Sequence, residues 1–176
     1  MPLRIFHHAS YAALVLPERH RFPIAKYQGL YQRLRSLGYP LAEAPPASRQ
    51  QIVRVHDADY VDAALNGRLG AAAVRRLGFP WSALLIERTL HSVGATLAAS
   101  RHALVEGCGL QISGGYHHAH RDVGSGFCLF NDLVIAARTC LDEGRCERVL
   151  IVDLDVHQGD GSAALCTGSR DIITLS

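Results

Sequence analysis

The sequence predicts an α/β fold built on a mainly parallel sheet. Two observations carry this. Short apolar runs alternate with longer stretches of helical periodicity, the order expected of β-α-β units. The run "RVLIVDLDV", residues 148 to 156, is almost continuously apolar up to its aspartates, as a strand covered on both faces would be. A length of 176 residues suits one domain with a sizeable core, and no repeat, low-complexity tract or internal boundary divides residues 1–176.

The elements follow in order. "LRIFHH", residues 3 to 8, reads as a first strand. "FPIAKYQGLYQRLRSLGYP" reads as a helix: Ile24, Tyr27, Leu30, Tyr31 and Leu34 recur at helical spacing, Pro23 stands at the start, and Gly38 and Pro40 stop it. "AEAPPASRQQIVRV" is a proline-marked connection in which Ser48 is placed to cap a helix. "HDADYVDAALNG" and "GAAAVRRLG" are two short helices. Residues 81 to 107 form the longest helical run, with Trp81 or Ser82 at its start. "CGLQISGG" is a short strand that breaks into a Gly-Gly turn, and "NDLVIAARTCLDEGR" is a helix capped by Asn131 or Asp132. Residues 148 to 156 are expected to form a central, buried parallel strand beside 109 to 113. "DIITLS" is a last strand, and its position at the end of the sequence predicts an uncovered surface prone to self-association.

Composition narrows the function. The chain has a net charge of +2 and no basic run with interleaved aromatics, so nucleic-acid binding through a charged face is not expected. No apolar run reaches the length of a membrane span, and no signal-peptide pattern opens the chain. Five cysteines without a CxxC pair read as thiols of a reducing compartment, and a cytoplasmic location is expected. There is no phosphate loop and no G-x-S-x-G elbow. Cys128, between a bulky aromatic and an apolar pair, reads as a buried thiol rather than a nucleophile.

Two stretches carry chemistry. In "VDLDVHQGDG", Asp153, Asp155 and His157 alternate with Val152, Leu154 and Val156, so a continued strand would set the three polar side chains on one face. Buried carboxylates in sequence are costly unless a metal or donors satisfy them, and carboxylate plus imidazole suits a catalytic divalent ion. The blander reading is a pair of strand-end aspartates that cap the next helix. In "SGGYHHAHRDVGSGFCLFND", His117 and His118 follow a strand ending in two glycines. Such a pair can divide general-base and electrostatic roles, each imidazole needing an orienting carboxylate, for which Asp153 and Asp160 are available. The competing reading is a surface histidine cluster continued by His120. His7 and His8 end the first strand and read as a solvated pair, while His20, His56, His91 and His102 have no partner visible in the sequence.

At these residues the sequence resembles the zinc-dependent histone deacetylase superfamily. "GGYHHAHRDVGSGFCLFND" followed by "RVLIVDLDVHQGDG" is similar to that family's two central motifs in order and spacing. "DVHQGDG", "HRFPIAKYQGL" and "HDADYVDAAL" are most similar to the class IV branch and its bacterial relatives. The resemblance spans nearly the whole chain. It implies a three-layer arginase/deacetylase-like α/β fold, incomplete on its C-terminal side, with residues 1–176 as a single partial deacetylase-like domain. It also implies a zinc-dependent amidohydrolase that removes acyl groups from acyl-lysine or a small acylated amine. Asp155 and His157 would be zinc ligands. His117 would pair with Asp153 in an electrostatic role, and His118 with Asp160 as general base and acid. Phe127 would wall the acyl channel and the Gly126 carbonyl would hold the substrate amide. Asp153, Ser176 and the backbone of Asp155 and His157 would surround a structural potassium ion.

Some family features have no match before Ser176: a third zinc ligand, an aspartate well after the D-x-D-x-H strand, and a tyrosine in a late glycine-rich loop. The substrate-gripping aspartate that some members carry before the long helix is also missing, that region reading "LGFPWS". The resemblance therefore carries an alternative, a truncated inactive member acting as a fragment or metal-binding module, and the 176-residue chain is not expected to be a competent deacylase by itself. A binuclear manganese ureohydrolase on the same fold would need an aspartate where Gly159 stands.

Overall fold

A computed structural model describes residues 3–176. The described elements run β1 (Ile5–His7), α1 (Ser10–Ala13), α2 (Ala25–Ser36), β2 (Leu41–Glu43), α3 (Arg49–Ile52), α4 (Ala58–Leu65), α5 (Ala71–Leu77), α6 (Ala83–Glu106), β3 (Leu110–Gln111), α7 (Asp132–Asp142), β4 (Val149–Val152), α8 (Asp160–Cys166) and β5 (Ile172–Leu175).

The helices start where local hydrogen bonding dictates. Ser48 caps α3 in a reciprocal box with Gln51, Ser82 accepts from the Leu85 amide at the head of α6, and Asn131 accepts from the Val134 amide at the head of α7. The stripe read on α2 is less buried than its spacing suggests: Tyr27 lies in the core, whereas Leu30 is exposed.

All strand pairs are parallel, and they form two separate sheets. One has the order β2-β1-β3, with Ile5 opposite both Leu41 and Leu110; the other pairs β4 with β5, Val149 opposite Ile172. The long helix α6 packs on β1 and β3 and against α7, while α7 and α8 pack on β5. The main core gathers Val61, Leu85, Val93, Phe130 and Ile135 with Ile151 and Ile172.

Two expectations are corrected. The strand read over 148 to 156 stops at Val152, and it is not a central strand beside 109 to 113. β3 is only two residues long because Gln111 folds back: its side-chain carbonyl accepts from the Ser113 amide, and the chain turns away through Gly114 and Gly115, both at positive φ. An apolar groove of about 540 Å³, lined by Ala103 and Leu104 of α6, Ala136 and Cys140 of α7 and the strand β4, lies along the edge of β4 that β5 leaves unpaired. Ile151 is buried in the main core on one face of β4; on the other, Leu150 is 60% and Val152 51% exposed. The apolar run showed the strand's need for cover on both sides, and this chain meets it on one.

Beyond Val152 the alternation of side chains no longer holds. The Asp153 carboxylate accepts from the Asp155 amide (3.0 Å), and the Asp155 carboxylate accepts from the His157 amide (2.8 Å). These two successive side-chain turns displace the extended backbone. They leave Leu154 and Val156 91% and 92% exposed instead of on a buried sheet face.

Candidate active site

The loop after β3 is held from beneath by Asp132. This carboxylate is fully buried and accepts from the amides of Gly115 (3.1 Å) and Tyr116 (2.8 Å) and from the Thr96 hydroxyl. Burial pushes its pKa up, against the pull of those hydrogen bonds. Asn131 secures the other limb: besides capping α7, its amide group donates to the Ala119 carbonyl (3.3 Å) and the Ser162 hydroxyl (3.0 Å). His56 completes the frame. The Asn131 amide donates into His56 Nε2 (2.9 Å), so Nδ1 carries the proton and donates to the Arg121 carbonyl (3.2 Å).

On this frame the two adjacent histidines meet separate carboxylates. His117 Nδ1 donates to Asp153 Oδ2 at 2.6 Å, and His118 Nδ1 donates to Asp160 Oδ1 at 2.6 Å. Because each Nδ1 is bound to a carboxylate, each ring keeps its Nε2 lone pair for other work. The ring centroids are 4.1 Å apart. His117 is buried and His118 is half-buried. Partial burial pulls the Asp160 carboxyl up, but the hydrogen bonds from His118, the Gly161 amide and His120 outweigh it and hold the group below the ordinary range. His120 thus belongs to the Asp160 cluster, at 3.4 Å.

Both pairs depend on glycine. At Gly126, φ is +54° and an added Cβ would come within 2.6 Å of His118 Cδ2; at Gly159 an added Cβ would lie 2.6 Å from Asp153 Oδ2. Phe127 takes a left-handed conformation (φ +68°), unusual for a bulky residue, and is fixed by its amide donating to the Leu77 carbonyl at 2.8 Å. Its ring packs on Phe22 and Phe79 and lines a cavity of about 510 Å³ together with Tyr27, Tyr116, His117, His118, Gly126, Asp155 and His157. Cys128 is buried, which pushes its thiol up to about 12, in keeping with a packing role.

Asp155 and His157 stand at the rim of this cavity, both exposed, and His157 Nδ1 donates to Asp155 Oδ1 at 2.9 Å. The amide of His157, followed by its ring, holds the Asp155 carboxyl below its usual value. An ionised carboxylate beside an imidazole is a donor pair that suits zinc. The pair could offer two ligands; among the described residues no third His, Cys, Asp or Glu joins them within 4.8 Å. Ser176 arrives through β5, its hydroxyl accepting from the Gly159 amide at 2.9 Å.

The sequence reading thus named the residues that the structure gathers here: His117, His118, Gly126, Phe127, Asp153, Asp155, His157, Asp160 and Ser176. It missed the supports. Asp132 appeared only as one of two capping candidates, and the tandem Asn-Asp was the available signal, since a single cap uses one of them. Arg88 gave no signal, because an arginine in a helix reads as solvated. It is buried against the rings of Phe22, Tyr27 and Tyr116 and donates to the Tyr116 hydroxyl at 3.0 Å. His8 does not reach the cavity; it stacks on His91.

Residues 20–176 match the histone deacetylase domain family. The chain is 41% identical over 180 residues to an uncharacterized protein of Picosynechococcus, covering 100% of this chain and 60% of that one. It is 31% identical over 157 residues to histone deacetylase 2 of Arabidopsis thaliana, covering 81% of this chain and 39% of that one. The crystal structure of an HDAC homolog from Aquifex aeolicus superposes with a TM-score of 0.84 at 19% identity, over 100% of this chain and 50% of its own. The chain therefore spans between about two fifths and three fifths of the length of these relatives. The structural likeness bears out the deacetylase-like α/β fold expected from the sequence.

Proposed function

The chain belongs to the histone deacetylase family, and from that premise we propose that its cavity is the acid/base portion of a zinc-dependent deacylase acting on acyl-lysine or a small acylated amine. One observation carries the reading: two adjacent imidazoles, each tied through Nδ1 to its own carboxylate at 2.6 Å, share a cavity with Asp155 and His157.

In this reading Phe127 walls the acyl chain and the Gly126 carbonyl accepts from the substrate amide. Among the described residues that carbonyl meets the weak Cys128 thiol donor, at 3.4 Å, which leaves a lone pair for the substrate. His118 is the general base. Its Nε2 takes the proton from water as the water attacks the acyl carbon, and returns that proton to the departing amine nitrogen, while Asp160 stabilises the imidazolium between the two events. His117, more buried and held by Asp153, orients its neighbour and stabilises negative charge developing on the acyl oxygen. Zinc held by Asp155 and His157 would supply Lewis-acid polarisation of the acyl carbonyl and acidify the attacking water. Asp153, Ser176 and the backbone carbonyls of Asp155 and His157 are the proposed potassium ligands.

A second reading has its own support. Asp155 and His157 are exposed and have no third His, Cys, Asp or Glu within 4.8 Å among the described residues, which favours a chain that binds metal without turnover. The purified chain, supplied with zinc, decides between the two. Release of acetate from acetyl-lysine peptides, abolished by a chelator and by His118→Ala, supports the first. Zinc uptake that is reduced in Asp155→Asn with His157→Asn, with no release of acid from the native chain, supports the second. Turnover that survives both His118→Ala and Asp160→Asn would remove the acid/base assignment.

A further inference from the structure

A second cluster of donors lies away from this cavity. His8 follows β1, and Glu87 and His91 stand one turn apart on α6, where the i, i+4 spacing puts them on one face. A ring nitrogen of each histidine and a carboxylate oxygen of Glu87 all lie within 4.8 Å of one another. The two imidazoles are face to face, with centroids 3.4 Å apart and planes 4° from parallel. Glu43, the last residue of β2, flanks His8 outside this group of three, its Oε1 3.5 Å from His8 Nε2.

Outer partners orient both rings. His91 Nδ1 is 2.7 Å from the carbonyl of buried Ala44. A carbonyl only accepts, so Nδ1 carries the proton and the lone pair of His91 is on Nε2. His8 Nδ1 lies 2.7 Å from the hydroxyl of buried Ser10 and 3.2 Å from its amide. The amide can only donate, so in the empty site His8 holds its proton on Nε2, toward Glu43. When Nε2 takes a metal, that proton passes to Nδ1, which then donates to the Ser10 hydroxyl, and the Ser10 amide gives up its bond to the ring. The exchange is a change of tautomer with no net loss of a proton. Orienting hydrogen bonds of this kind, from the second ring nitrogen to a carbonyl or hydroxyl, recur behind metal-ligating histidines.

We propose that His8, Glu87 and His91 form a metal site distinct from Asp155 and His157, taking zinc or another late first-row divalent ion and tying the exit of β1 to α6. Two imidazoles and a carboxylate match that class of ion rather than magnesium or calcium, which prefer all-oxygen shells. Ligand bonds of about 2.0–2.2 Å draw tetrahedral donors to about 3.4 Å apart. The rings now lie in nearly parallel planes 3.4 Å apart, so each must tilt by about 50° to aim its in-plane lone pair at one shared ion. Exposed Glu87 can follow.

The test removes the other donors first. In an Asp155→Asn, His157→Asn background, zinc chloride is titrated by calorimetry and cobalt by its visible absorption. One equivalent of either ion is expected to bind. Adding Ser10→Ala should weaken affinity by about 10–100-fold, the usual effect of losing an outer partner. His91→Asn should weaken it by more than about 100-fold, since a ligand counts for more than its support. Glu87→Gln, on the exposed face of α6, keeps the fold and should still weaken binding by about tenfold or more. A background protein that takes up no ion overturns the proposal. So does an affinity unchanged in folded His91→Asn and Glu87→Gln.

Discussion

Lowering the pH should unfold this protein through His56, and the size of the effect follows from its surroundings. The imidazole is buried, accepts from the Asn131 amide at Nε2 and donates to the Arg121 carbonyl at Nδ1. Both nitrogens are committed in the neutral form. Burial lowers its pKa from 6.5 to about 4. Because the folded value lies below the unfolded one, the unfolded chain binds the extra proton between them. Stability is complete above about pH 6.5, falls as pH drops through the window, and stops falling below about pH 4. The slope inside the window is about 1.4 kcal/mol per pH unit, so the total loss is on the order of 3 kcal/mol, with about 2 kcal/mol gone by about pH 5. That is a large part of a typical domain's stability. The assay is urea unfolding at a series of pH values, for the native chain and for His56→Leu. The variant loses both hydrogen bonds and should be weaker by about 1–3 kcal/mol at neutral pH. Its curve should nevertheless be flatter through the window, converging on the native one near pH 4. Carboxylates that titrate lower are common to both proteins and cancel in the difference. Parallel curves would refute the assignment of a neutral His56.

Other outcomes are expected. In any preparation that shows deacylase turnover, His118→Ala should lower the rate by about 10²–10⁴-fold, the usual range for a lost general base. Asp160→Asn should act in the same direction, read from acetate release. Gly159→Ala would push a methyl group against Asp153 Oδ2; it should cost about 1–3 kcal/mol by overpacking and alter the proton resonance of His117 Nδ1–H, both measurable in one NMR and denaturation series. Asn131→Ala removes the α7 cap and leaves the Ala119 carbonyl and Ser162 hydroxyl without their partner; a loss of about 3 kcal/mol in urea unfolding is expected. Leu150, Val152, Ile173 and Leu175 are all exposed on the β4–β5 pair, so the chain should self-associate in sedimentation experiments. Leu150→Lys with Ile173→Thr should shift it toward monomer.

What could be read in the sequence was local chemistry. Ser48 was legible as a cap, and Asn131 as one of two candidates, because a cap is a bond to the amide three residues on. The histidine–aspartate pairs were legible because Gly-Gly before His117 and carboxylates after an apolar run announce themselves within a few positions. β2 was read as connection, and α1 and α8 went unnamed. These elements are short, and β2 exists because β1 offers it a partner. The roles of His56 and His91 were equally invisible, since their partners lie 65 and 75 residues away in one case and 47 in the other. The break between the sheets was hidden for a different reason: an apolar strand records that it wants neighbours, and does not say which segment provides them.

That break bears on how the protein moves. No strand hydrogen bond crosses from β3 to β4, so the β1–β3 half and the β4–β5 half can exchange their amide protons as separate units, each with its own opening free energy. His117 and His118 follow β3 in the chain, and their carboxylates Asp153 and Asp160 follow β4. Any opening of the seam therefore parts both pairs together, and deuterium uptake along β4 should rise in step with loss of the hydrogen-bonded imidazole protons. The two histidine–aspartate pairs are in this sense a latch between the two sheets.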